Sequence, residues 1–215
     1  MNNLVNLLKL QFNSLFAIKK NLFSFLAFYF VFSFFQPSWI LTLSAIYIMF
    51  SCYSTFAYDE KSKINYLIYS LPIKLNDYII SKYIYCLINT LIAVLISIVF
   101  NLIVHNLSFV NPNNIMPIPV IIFITSLIGL FYTAIVMPVA LLLGFEKGKY
   151  VFILIFSSIG FLSFITSKNL LKRFPSLPSL NPITLSVIGI LIAVTILLAS
   201  YFITSNMFSK KEIRY

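Results

Sequence analysis

The charged residues that could touch another molecule are few and crowded. Of the five acidic residues among 215, three lie in one stretch, Tyr58 to Tyr83: Asp59, Glu60 and Asp77. Lys61, Lys63, Lys74 and Lys82 share it. Carboxylates and ammonium groups at this spacing are suited to electrostatic docking. They lack the nucleophile, base and orienting partner that covalent catalysis needs. The other candidates for chemistry are poorer. One His and two Cys, scattered along the chain, give no metal-ligand cluster. Cys52 and Cys86 both fall inside apolar runs, away from any oxidising loop, so buried thiols without a disulfide are expected. Residues 144–150, GFEKGKY, have too few residues between glycines for a phosphate loop, and Tyr150 stands where such a loop needs Ser or Thr.

The elements around these residues must cross a bilayer. With 60% hydrophobic residues, 9% charged and a mean hydropathy of +0.99, the chain is an all-α integral membrane protein. The pattern predicts six transmembrane helices, at about 22–35, 39–57, 84–104, 120–143, 150–165 and 183–207. The first two are short, and one partly crossing hairpin is the alternative for them. Gly129 and Pro138 should bend the fourth. Residues 1–20 form a single face of Asn2, Asn6, Lys9, Asn13 and Lys20 against Leu4, Leu8, Phe12, Leu15 and Phe16, an N-terminal interfacial helix rather than a signal peptide.

The net charge of +10 does not indicate nucleic acid, because the basic residues flank apolar runs and form no stripe. They indicate topology. Twelve of the fifteen Lys and Arg, and all five acids, fall in residues 1–20, 58–83, 144–149 and the tail, against Lys168, Lys172 and Arg173 on the other face. Both termini and the Tyr58–Tyr83 stretch are therefore expected in the cytoplasm of a cell-membrane protein.

Within that stretch Ile64, Leu67, Ile68 and Leu71 follow helical spacing and Pro72 ends the helix, giving a short amphipathic helix in a 58–82 loop. Asn76 is placed to cap the next helix, with Asp77 in its first turn. The alternative is a plain loop on headgroups. The expected spans contain no Asp, Glu, Lys, Arg or His, which excludes most ion-driven carriers and intramembrane hydrolases. Their Ser and Thr should bond to the backbone one turn back or to a neighbouring helix. The chain has no engine of its own.

The run Asp59-Glu60-Lys61-Ser62-Lys63, then Ser70-Leu71-Pro72-Ile73, Asp77-Tyr78 and Ser81-Lys82-Tyr83, resembles the membrane subunits of bacterial type-2 ABC exporters. It resembles in particular the compact Gram-positive kind that exports peptides or confers resistance to them, and the resemblance covers the layout of the whole chain. It implies a cytoplasmic coupling helix that docks on an ATPase through Asp59, Glu60, Lys61, Lys63, Ile64, Leu67, Ile68, Leu71 and Pro72. Leu75 stands where that family often carries Arg, with Lys74 beside it. The implied partners are two cytoplasmic ABC ATPase subunits and a second copy or a homologous permease subunit. This chain would be no enzyme and bind no cofactor, ATP and Mg being used by the ATPase. An amphipathic cargo such as a peptide, toxin or antibiotic would follow. A membrane immunity or scaffold protein is the alternative, and a pore a third, though no ring of charges suggests a filter.

The resemblance also implies short helices folded back into the outer leaflet before the last span. Residues 166–182 suit that: Leu170, Leu171, Phe174, Leu177 and Leu180 are too apolar for a solvated loop, and Lys168, Lys172 and Arg173 can snorkel. Pro175, Pro178 and Pro182 prevent one continuous helix, so a broken exit lid is expected, with a basic loop on anionic lipid as the alternative.

Overall fold

The computed structural model describes residues 2–17, 23–24, 26–27, 31, 39–62, 74–106, 117–144, 148, 150–151, 154 and 182–208. Five helices make up the described fold: α1 (Asn2–Ala17), α2 (Trp39–Lys61), α3 (Leu75–His105), α4 (Ile118–Leu143) and α5 (Pro182–Phe208). Four of them, α2 to α5, are long and apolar enough to cross a bilayer. The expected spans at 22–35 and 150–165 fall mostly outside the described residues; those described within them are helical. Residues 63–73 and 166–181 fall wholly outside, and with them most of the expected coupling helix and the lid.

Around a hydrophobic core, the long helices also bury many of their polar residues and leave much apolar surface exposed. On α3, Asn89, Ser97 and Asn101 are buried while Leu91, Leu95 and Val99 are exposed. α5 is apolar on nearly every side and buries only Ala193, Ser200, Thr204 and Phe208 among its described side chains. This is the arrangement a lipid solvent favours, since hydrocarbon solvates Leu as well as a core does and cannot solvate a hydroxyl. The hydroxyls bond as expected. Ser51 Oγ donates to Ile48 O at 3.0 Å, Ser97 Oγ to Ala93 O at 2.8 Å and Thr90 Oγ1 to Cys86 O at 2.9 Å, while Ser44 and Thr125 meet across α2 and α4 at 3.3 Å.

Two places join the helices more tightly than composition suggests. At the α3–α4 crossing, Gly129 lies directly against Thr90, so that an added Cβ would come within 2.8 Å of Thr90 Cβ and closer still to its Cγ2. A missing side chain lets the backbones approach. At the other, α4 runs through Pro138, whose ring nitrogen cannot donate to the carbonyl of Ala134 one turn back. Ser200 Oγ on α5 donates to that carbonyl at 2.6 Å. Thr204 Oγ1 already donates to Ser200 O, so the hydroxyl of Tyr83 on α3 is left to donate to Ser200 Oγ (2.8 Å) and Thr204 Oγ1 (3.1 Å). Three helices thus share one chain of hydrogen bonds around a proline. Ser200→Ala should strand the buried Ala134 carbonyl and cost about 1–3 kcal/mol, read as a lower melting temperature in detergent. An unchanged melting temperature would mean that another group satisfies the carbonyl.

Candidate functional site

α2 and α3 run antiparallel to either side of residues 62–74, and both extend past the expected span limits. α2 continues to Lys61, past the span limit expected near Ala57, and α3 begins at Leu75, ahead of the span limit at Ile84 and close to the helix start expected beside Asn76. Asp59, Glu60 and Lys61 therefore form the last turn of α2, where Lys61 complements the helix dipole. Lys74 takes the N-cap position of α3 with an extended backbone (φ −67°, ψ 128°) and no side-chain cap bond. Asn76 is thus two residues past the cap position; its Oδ1 accepts from Ser205 Oγ of α5 at 3.0 Å instead. Asp77 does lie in the first turn.

The extension has an electrostatic consequence. Asp59 and Lys82, three and zero per cent exposed, form a buried ion pair between α2 and α3 through Asp59 Oδ2. The hydroxyl of Tyr78 donates to the same oxygen at 3.3 Å. The Lys82 ammonium also lies 5.0 Å from the Phe56 ring centre and 5.7 Å from that of Tyr78. Aromatic faces at these distances attract a desolvated cation. Asp59 Oδ1 has no partner among the described residues. One residue along α3, Ser81 accepts from Gln11 Nε2 of α1 at 2.9 Å.

That contact belongs to a seam with α1. Leu7, Gln11 and Ser14, at helical spacing i, i+4 and i+7, are buried, and Phe12 packs edge-on to Tyr85 with ring centres 5.1 Å apart. α1 is an amphipathic helix, as expected, with Asn6, Lys9 and Asn13 exposed. It is also docked on α2 and α3 by a polar stripe that the two-faced reading passed over. The signal available in the sequence was Gln11 and Ser14 recurring with Leu7 on one face, where neither apolar nor charged residues dominate.

Further along α2 and α3 the register is fixed by a ladder of contacts. Tyr85 Oη donates to Ser51 O at 3.3 Å, and Tyr47 Oη donates to Asn89 Oδ1 at 3.1 Å. Beside the Tyr85–Ser51 contact, and between Tyr47–Asn89 and Asp59–Lys82, the free thiols of Cys52 and Cys86 face each other, both buried.

The residues expected to meet a partner are thus divided. Glu60 and Lys61 are exposed at the end of α2. Asp59 is turned inward, and its carboxylate acts between helices. Lys63, Ile64, Leu67, Ile68, Leu71 and Pro72 lie outside the described residues, as do Lys168, Lys172, Arg173, Phe174 and Pro175. The arrangement can do mechanical work: two exposed charges lead directly into a buried knot that ties α1, α2 and α3 together. No group of three or more His, Cys, Asp or Glu that could hold a metal ion occurs among the described residues.

A family model described as ABC-2 family transporter protein matches residues 6–209, nearly the whole chain. No curated protein and no solved structure matches.

Proposed function

We propose that this chain, which belongs to the ABC-2 family of transporter proteins, is the membrane subunit of an ATP-driven exporter for an amphipathic cargo such as a peptide or a peptide-like toxin. Membership makes it a multi-pass membrane permease subunit that works with ATPase subunits and another permease subunit. In our reading two cytoplasmic ATPases dock at residues 58–74, and a second copy or a homologous subunit completes the path. Both termini face the cytoplasm, in keeping with the twelve-to-three distribution of Lys and Arg.

The observation that carries the mechanism is the buried Asp59–Lys82 pair at the ends of the two helices that flank the docking segment. A push on residues 62–74 reaches α2 and α3 together, because the pair resists their sliding. It reaches α1 through Gln11 and Ser81. A shear element of this kind converts a small displacement at one end into a rigid-body shift of three helices. Glu60 and Lys61, exposed beside it, are the charges we assign to the ATPase contact.

Glu60→Ala with Lys61→Ala should leave the protein inserted and folded but reduce co-purification with the co-expressed ATPase and lower ATP-driven transport in vesicles. The individual ion pairs in a solvated groove contribute only about 0.2–1 kcal/mol each, so the loss should be partial and should deepen at higher salt. Unchanged transport and ATPase retention would reduce the segment to a passive connection. Failure of any ATPase to co-purify with the unaltered chain would favour a non-transporting membrane immunity or scaffold protein.

A further inference from the structure

We propose that Cys52 and Cys86 are a modification site: a dithiol that a small uncharged oxidant converts to a disulfide tying α2 to α3. The sulfurs lie 2.7 Å apart, nearer than two thiols rest when merely packed and within a slight shift of a bond. They are on facing helices, 34 residues apart in the chain, so the link would be between helices and not within one. The approach is not a chance of two mobile side chains. The register is held on one side by Asp59–Lys82, on the other by Tyr47–Asn89, and by Tyr85–Ser51 immediately beside the thiols, so the two are kept opposite each other.

The geometry also selects among the uses of two cysteines. A tetrahedral metal bound by both thiolates would hold the sulfurs roughly 3.8 Å apart, given metal–sulfur bonds of about 2.3 Å. Among the described residues no third His, Cys, Asp or Glu joins them to complete such a site. With zero and one per cent exposure, neither thiol meets a charged or bulky reagent. An oxidant for them must be small and uncharged, and hydrogen peroxide is of that class.

The step balances simply. One thiolate attacks a peroxide oxygen, breaking the O–O bond and giving a sulfenic acid and hydroxide, which takes up the thiol's proton as water. The second thiol's sulfur then attacks the sulfenic sulfur, forming the S–S bond and releasing a second water. Two thiols lose two hydrogens and two electrons, and one peroxide is reduced to two waters. A dithiol reductant reverses it. The disulfide closes a loop from residue 52 to 86 that contains the whole docking segment. On the exporter reading above, on which this last consequence rests, oxidation would hold α2 and α3 in one register and arrest transport.

The test uses the unaltered protein with its ATPase in lipid vesicles. After hydrogen peroxide and quenching, cleavage after Lys61, Lys63 or Lys74 should give two fragments that stay joined, with a mass about 2 Da below that of the reduced pair, and part on reduction. Cys52→Ser should abolish the joining. Fragments that separate without reductant, or that gain oxygen instead of losing hydrogen, would overturn the dithiol. ATP-driven transport should be lost with peroxide and recovered with a dithiol reductant, while Cys52→Ser with Cys86→Ser keeps transporting. Unchanged transport by the joined protein would overturn the arrest. Absence of ATP-driven transport in the fully reduced protein would instead sink the exporter reading, with the fragment result still deciding whether the thiols pair.

Discussion

Lys82→Met should abolish ATP-driven transport and lower the melting temperature sharply. The substitution leaves the Asp59 carboxylate three per cent exposed, with Oδ1 unpartnered among the described residues and only the Tyr78 hydroxyl on Oδ2. Removing one member of a buried pair costs about 3–5 kcal/mol, because the remaining charge has lost both solvent and partner. Asp59→Asn should fail for the converse reason, its ammonium being left to the rings of Phe56 and Tyr78. Combining Asp59→Asn with Lys82→Met should recover most of the stability, since replacing both charges with neutral groups is often nearly neutral. Transport per folded complex should still lag, because nothing then ties the ends of α2 and α3. The swapped pair, Asp59→Lys with Lys82→Asp, should restore more of both. Single variants that melt and transport like the parent would remove the pair from the mechanism.

Gly129→Leu should be the most damaging apolar change in the described spans. Even a methyl at this position would overlap Thr90, so Gly129→Ala should cost about 1–3 kcal/mol through overpacking, and the leucine about 3 kcal/mol or more by separating α3 from α4. Thr90→Ala placed on Gly129→Ala should return part of the loss, because it removes Cγ2 and Oγ1 and leaves only the Cβ contact. Thermal unfolding in detergent measures all three. A Gly129→Leu protein with the parent's melting temperature would show that the helices do not meet there.

What the sequence revealed and what it hid follow from the kind of signal each part leaves. Uninterrupted apolar length located the spans that became α2 to α5, and helical spacing located α1. α2 runs a turn past its expected span because polar residues do not by themselves end a helix, whereas α3 starts beside the cap expected at Asn76. Asp59, Glu60, Asp77 and Lys82 all sit on helical backbone, and a helix needs no apolar residue once neighbours satisfy its side chains. Lys82 was the hardest to place. A lysine at the edge of a span ordinarily snorkels to water, and only the opposing Asp59, Phe56 and Tyr78 make burial tolerable. That constellation draws on two helices, so no local pattern announces it. Pro138 was read as a bend; that Ser200 would answer its missing donor, 66 residues away, was beyond any local pattern. The Cys52 and Cys86 thiols were expected to be buried and unlinked, and the sequence held nothing to show that they would face each other.

The length of α3 makes the protein a gauge of its solvent. At 31 residues it is about 46 Å long, against a hydrocarbon layer of about 30 Å. Upright, it overhangs the layer by some three turns, and its Lys82 end can be drawn toward hydrocarbon or released from it as the surrounding acyl chains lengthen or shorten. Each ångström of mismatch shifts the balance by a fraction of a kcal/mol. Turnover in vesicles should accordingly vary with acyl-chain length and pass through an optimum, with the protein carrying both Asp59→Asn and Lys82→Met, which has no buried ammonium to keep at the boundary, showing a flatter dependence.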